Sequence, residues 1–102
     1  MAKSAEHRYE RRGITFLTKA KQVEKDWYEW SVEIEKARVA LSKIEEVEYI
    51  LHPTFHDRIR LAKSSEKRFR IESEGWGEFD IAVNIRFKNG DEEIAIVPLK
   101  LG

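Results

Sequence analysis

Apolar and polar residues alternate most regularly from Phe79 to Phe87. Phe79, Ile81, Val83, Ile85 and Phe87 fall on one side, and Asp80, Asn84 and Arg86 on the other, with Ala82 between them. A period of two predicts an antiparallel strand with one face in a core and one in water. Lys88-Asn89-Gly90-Asp91 follows, and Asn-Gly favours the positive φ values of a tight hairpin turn. The return strand is expected over Glu93 to Leu101. Ile94 and Ile96 are read as inward before Pro98, and Leu99 and Leu101 after it. That switch of parity predicts a bulge or an edge position at Pro98, because proline donates no ladder hydrogen bond.

The same period recurs earlier in the chain. Tyr28, Trp30, Val32 and Ile34 alternate with Glu29, Ser31, Glu33 and Glu35. Val47, Tyr49 and Leu51 form a second inward set, and Phe69 and Ile71 a third within Lys67 to Ser73. A weaker strand is expected from Ile14 to Val23. One stretch disagrees: Ile34, Ala37, Leu41, Ile44, Val47 and Leu51 recur at the three- and four-residue spacing of a helix. Many short strands with frequent turn signals predict an all-β fold, an antiparallel β-sandwich.

The chain has 102 residues, which fits one domain with its own core. Residues 1–12 are polar and charged and are expected to be a flexible N-terminal segment, with the sandwich over residues 13–102. No cysteine is present, so disulfides, thiolate metal sites and a cysteine nucleophile are excluded. Lys+Arg and Asp+Glu both number 19, which argues against direct nucleic-acid binding. No apolar run is long enough to span a membrane, and no membrane partner is expected. A cytoplasmic location is expected, or a nuclear one if the source is eukaryotic. Charge is uneven along the chain. Bases dominate from Asp57 to Arg70 and acids from Glu72 to Glu93. Such rows are the usual solvated faces of a sheet; near Trp76 they would also favour a basic partner.

Chemistry that breaks bonds finds little support. The sequence has no HExxH, GxSxG or phosphate-binding loop. His52 and His56 are four apart, but Pro53 between them disfavours the helix that would make them a metal pair. No metal, no cofactor and no catalytic residue is expected. Recognition is better served. Pro53 makes a rigid turn that presents Thr54 and Phe55 together, and Gly75 and Gly77 permit a tight backbone path around Trp76. A threonine hydroxyl and an open backbone N–H can hold an amide between two aromatic faces. The alternative is that Phe55 and Trp76 are ordinary core.

Leu51-His52-Pro53-Thr54-Phe55, followed by Gly75-Trp76-Gly77-Glu78-Phe79, resembles the YEATS domain. The resemblance extends to Trp30-Ser31-Val32 and Val47-Glu48-Tyr49 and covers roughly Asp26 to Leu101. The compact form is similar to the prokaryotic branch. The resemblance implies an immunoglobulin-like sandwich, with strands and a connecting loop where the helical period lies. A short helical turn before the Val47 strand would reconcile the two. It also implies a non-catalytic reader of acylated lysine in a peptide or protein partner. Phe55 and Trp76 would enclose the acyl-amide plane and the Thr54 hydroxyl would bond the amide. The Trp76 N–H would take the carbonyl, His52 would orient Thr54, and Gly75 and Gly77 would shape the loop. Trp27 or Tyr28 would add a further aromatic. An adaptor domain that binds through a sheet face or edge, with the pocket vestigial, is the alternative function.

Overall fold

Strand alternation builds nearly the whole molecule. The computed structural model describes residues 4–102 as eight strands: β1 (Ser4–Arg11), β2 (Ile14–Glu24), β3 (Trp27–Ala37), β4 (Ile44–Ile50), β5 (Ile59–Ala62), β6 (Ile71–Gly75), β7 (Phe79–Phe87) and β8 (Glu92–Leu99). They form two four-stranded antiparallel sheets, in the orders β1-β2-β3-β6 and β5-β4-β7-β8. The inner faces meet over Phe16, Trp30, Val32, Ile34, Val47, Tyr49, Ile81, Val83, Ile85 and Val97, all buried. The two sheets thus make a sandwich closed over one apolar core, as the alternation of β3, β4 and β7 predicts.

Four expectations need correction. Ser4–Arg11, expected to be loose, pairs with β2 in unbroken register from Ser4↔Lys21 to Arg11↔Ile14. Arg12 and Gly13 both take positive φ, 55° and 79°, and close a two-residue hairpin that the sequence reading passed over. (Residues 1–3 lie outside the described residues.) In β8 the parity never switches. Ala95, Val97, Leu99 and Leu101 are buried, whereas Ile94 and Ile96 are exposed. Pro98 faces outward on an edge strand opposite Asp80, where its missing N–H costs no ladder bond and no bulge is needed.

At Asn89-Gly90 only Gly90 has positive φ, 95°. Its N–H donates to the Phe87 carbonyl at 3.0 Å. That is a three-residue loop ending in a left-handed glycine, not a two-residue turn. Phe69 points inward as expected, but from a turn rather than a strand. Arg68 and Phe69 have φ of 55° and 52°, and Phe69 is buried. A bulky residue held left-handed is strained, and its surroundings must compensate. They do so twice: the buried Tyr49 hydroxyl donates to the Phe69 carbonyl at 2.7 Å, and the Ile34 N–H to the Arg68 carbonyl at 2.9 Å.

The helical period at Ala37 to Glu48 survives only as a single 3-10 turn, Leu41–Lys43, before β4. Ile34 sits on β3, and Ile44 and Val47 on β4, so the spacing spans two sheets rather than one helix. Strand β5 was not foreseen, because four residues with one buried side chain carry no readable period.

Candidate functional site

The registers bring the end of β4, the end of β6 and the starts of β3 and β7 to one end of the sandwich. Two connections meet there. The β4–β5 loop is closed at its base by the Leu51 N–H donating to the Arg58 carbonyl at 2.6 Å. Inside it, the Phe55 N–H donates to the His52 carbonyl at 3.0 Å, which makes the turn over Pro53 and Thr54. The second connection, Trp76–Glu78, carries the chain from β6 across to β7 in the opposite sheet.

Between these loops lies a cleft of 340 Å³. Trp27, His52, Thr54, Phe55, Gly75, Trp76 and Gly77 line it, so all but one of the residues singled out in the sequence converge. The exception is Tyr28, which pairs with Gly75 and packs against the core. The further aromatic wall is therefore Trp27, one residue earlier and on the other side of the strand.

The floor is aromatic and continuous with the core. Buried Trp30 meets Phe79 edge-on at 5.8 Å between ring centroids and Phe55 at 6.1 Å. Phe55 and Phe79 lie 5.3 Å apart, and Phe79 also meets the His52 ring at 6.1 Å. Edge-on and tilted packing fixes these rings before any ligand arrives. Phe55 is half-buried and Trp76 is 71% exposed, so one wall is rigid and the other stands in solvent.

The polar groups have a definite order. His52 Nδ1 lies 3.2 Å from the Thr54 N–H and 2.9 Å from the Thr54 hydroxyl oxygen. A ring nitrogen that accepts the backbone N–H carries no proton itself. The Thr54 hydroxyl then donates to the same nitrogen and leaves its oxygen lone pairs as acceptors toward the cleft. His52 thus fixes the Thr54 hydroxyl proton and leaves the oxygen without a donor.

The glycines act differently from the expectation. Neither Gly75 nor Gly77 has positive φ. A Cβ at Gly75 would lie 3.7 Å from Phe55 Cζ, ordinary contact, and one at Gly77 would meet nothing. What glycine supplies here is a bare backbone beside Phe55 and Trp76 rather than a special turn.

Sequence reasoning missed four lining residues. Phe79 was read as a strand residue and Glu78 as local charge, both quoted in the loop motif but given no role in the cleft; His56 was weighed only against a metal, and Glu74 was counted only as local charge. Glu78 is anchored where it accepts the Leu101 N–H at 2.7 Å. Among the described residues, no lysine or arginine lines the cleft. A larger depression of 970 Å³ on the outer face of the first sheet is walled mainly by Lys19, Lys21, Glu29, Arg70, Glu72 and Glu74, and is an open charged surface rather than an aromatic slot.

Comparison with known proteins gives the same fold. The chain is similar to the Yaf9 YEATS domain bound to H3K27ac, at TM-score 0.71 and 20% identity over 100% of this chain and 77% of that one. It is equally similar to the Yaf9 YEATS domain recognizing an H3K122suc peptide, at TM-score 0.71 and 21% identity over 99% and 76%. The yeast AF-9 homolog protein Yaf9 gives TM-score 0.74 and 20% identity over 99% and 71%. At such identities the likeness is one of fold, an immunoglobulin-like sandwich. No curated protein matches the sequence significantly. The family model of the prokaryotic YEATS domain matches residues 28–100, which takes in both cleft loops and six of the eight strands in whole or part. On that match, the chain belongs to the prokaryotic YEATS domain family.

Proposed function

We propose that the domain is a non-catalytic module that takes an acylated lysine of a peptide or protein partner into this cleft. The observation that carries the reading is the Thr54–His52 pair set beside Phe55 and Trp76 in one slot. An acyl-lysine side chain ends in a flat amide with one N–H and one carbonyl. The Thr54 oxygen accepts the N–H, the Trp76 backbone N–H donates to the carbonyl, and the two aromatic faces cover the plane. Trp27 closes the third side. At 340 Å³ the cleft falls at the small end of the roughly 300–1,000 Å³ usual for ligand pockets, a size for one side chain rather than a folded surface. The ligands named for the two similar Yaf9 structures, an acetylated and a succinylated histone peptide, support the class of ligand.

Glu74 and Glu78 at the lining favour a peptide with lysine or arginine beside the modified residue. They also support a second reading, an adaptor that binds basic segments regardless of acylation. One titration separates the two. Acetyl- and butyryl-lysine peptides and their unmodified control are added while tryptophan fluorescence is recorded, since Trp76 stands in the slot. Acyl-dependent quenching that disappears in Trp76→Ala supports the reader. Equal binding of the unmodified peptide, falling steeply with salt, supports the adaptor instead.

A further inference from the structure

Six large apolar side chains lie exposed among the described residues, and four of them, Ile59, Leu61, Ile94 and Ile96, share the outer face of the second sheet. Of the other two, Trp76 belongs to the cleft and Val23 sits near the end of β2. The registers set the four in two rows across all four strands. One row runs Ile59, Ile50, Ala82, Ile96 and is apolar throughout. The next runs Leu61, Glu48, Asn84, Ile94. The solvent face of an antiparallel sheet is ordinarily polar, and the first sheet obeys this with Lys19, Lys21, Glu29 and Glu33. Exposed apolar side chains gathered in rows mark a contact surface.

The charges around the rows select the occupant. Outward positions of β4, β7 and β8 hold four carboxylates, Glu46, Glu48, Asp80 and Glu92, against one guanidinium, Arg86. Arg86 already pairs with Glu46 at 3.1 Å, Glu48 at 4.0 Å and Glu92 at 2.9 Å, and its bond to Glu92, with a second from Asn84, holds the Glu92 carboxyl below its usual range. A second copy of this chain would bring two acidic faces together, which opposes self-association. Addition of a strand at β8 is blocked as well. Arg11 Nε donates to the Ile96 carbonyl and Arg12 Nε to the Ile94 carbonyl, both at 3.1 Å, so the β8 edge is occupied. What remains is a segment laid over the face, apolar on one side and cationic at its margins. We propose that this face docks a basic amphipathic segment of another protein, its apolar stripe on the two rows and its lysines or arginines toward Asp80, Glu46 and Glu48. The surface is independent of the acyl-lysine cleft.

The test uses the full chain and a synthetic leucine–lysine peptide of about 18 residues, roughly five helical turns, with one apolar stripe. Two controls keep its length: one with glutamate for lysine, one scrambled so that the stripe is lost. Amide chemical shifts map the contact. The expected result is shifts centred on β5 and β8, with each control binding at least tenfold more weakly. Ile94→Ser with Ile96→Ser should weaken binding by at least tenfold, whereas Trp76→Ala should leave it unchanged. Asp80→Asn with Glu48→Gln should weaken it severalfold and flatten its salt dependence. Shifts centred on the cleft, equal binding of the scrambled peptide, or a concentration-dependent dimer broken by the isoleucine changes would each overturn the proposal. The shift map on the unaltered protein decides the matter even if a variant fails to fold.

Discussion

Tyr49 with Phe69, and Thr54 with Phe55, are two pairings of a hydroxyl with an aromatic neighbour, and they have opposite fates. Tyr49 and Phe69 are sealed in the core, and the Tyr49 hydroxyl is spent on the Phe69 carbonyl. Thr54 is exposed, Phe55 is half-buried, and the Thr54 proton is held by His52 while its oxygen faces open space. Where every bond is closed internally, the group stabilises the fold. Where a lone pair is held at a fixed angle toward a cleft, it can hold a ligand. The difference lies not in residue type but in whether the hydrogen bonding is complete.

Substitutions can break this comparison from either side. The largest effect should come from Phe69→Ala. Emptying a fully buried aromatic site is expected to cost about 3–5 kcal/mol of stability, read from chemical denaturation, with acyl-peptide affinity kept in whatever fraction remains folded. Trp76→Ala should do the reverse. Its 71% exposure predicts a change in stability within about 0.5 kcal/mol, together with loss of about 2 kcal/mol of acyl-peptide binding, roughly 30-fold in Kd. A Trp76→Ala domain that binds normally would remove the slot from consideration.

Alkaline pH probes the sealed pair alone. Burial first, and then the charge of Glu33, push the Tyr49 phenol above its ordinary range. In the unfolded chain Tyr49 ionises near pH 10, whereas in the fold it stays neutral. Its folded value is the raised one, so stability is intact below about pH 10 and falls as pH rises, by roughly 1.4 kcal/mol per pH unit for this group. Denaturation midpoints at pH 9 and 11 should show the loss, and Tyr49→Phe should shrink it. The smallest effect is expected for Thr54→Val, which keeps the shape and removes the acceptor. It should cost about 1 kcal/mol of acyl-peptide binding with little change in folding, measured in the same titration. Equal losses from Thr54→Val on acylated and unmodified peptides would place the hydroxyl outside amide recognition.

Much of the scaffold was legible because period-two alternation is a direct consequence of one-sided burial. Strands β3, β4 and β7 follow from it, and so does the sandwich. The errors arose where a residue's apolar character and its facing disagree. Ile94 and Ile96 are more apolar than Ala95, yet Ala95 is buried and they are not. Only pairing with β7 decides this, because Val83 lies opposite Ala95 and fixes the parity of the whole strand. The N-terminal strand was hidden for a related reason. An edge strand only half-buried on one face tolerates His7 and Arg11 among Ala5 and Tyr9, so its alternation is chemically faint.

The cleft was legible in its members but not in its bonding. Proline and glycine punctuation around Thr54, Phe55 and Trp76 marked two loops, and family resemblance paired them. The choice of Trp27 over Tyr28 depends on a difference of one residue at a strand end, below what a pattern resolves.

By itself, the sequence determined local geometry: which segments extend, where the chain turns, and that no cysteine takes part. Those properties follow from neighbours along the chain. Tertiary structure alone decided that Phe79 floors the cleft, that the Thr54 proton goes to His52, that Phe69 is held left-handed, and that four apolar side chains remain uncovered in rows. Each depends on contacts between segments far apart in sequence, and no local pattern carries that information.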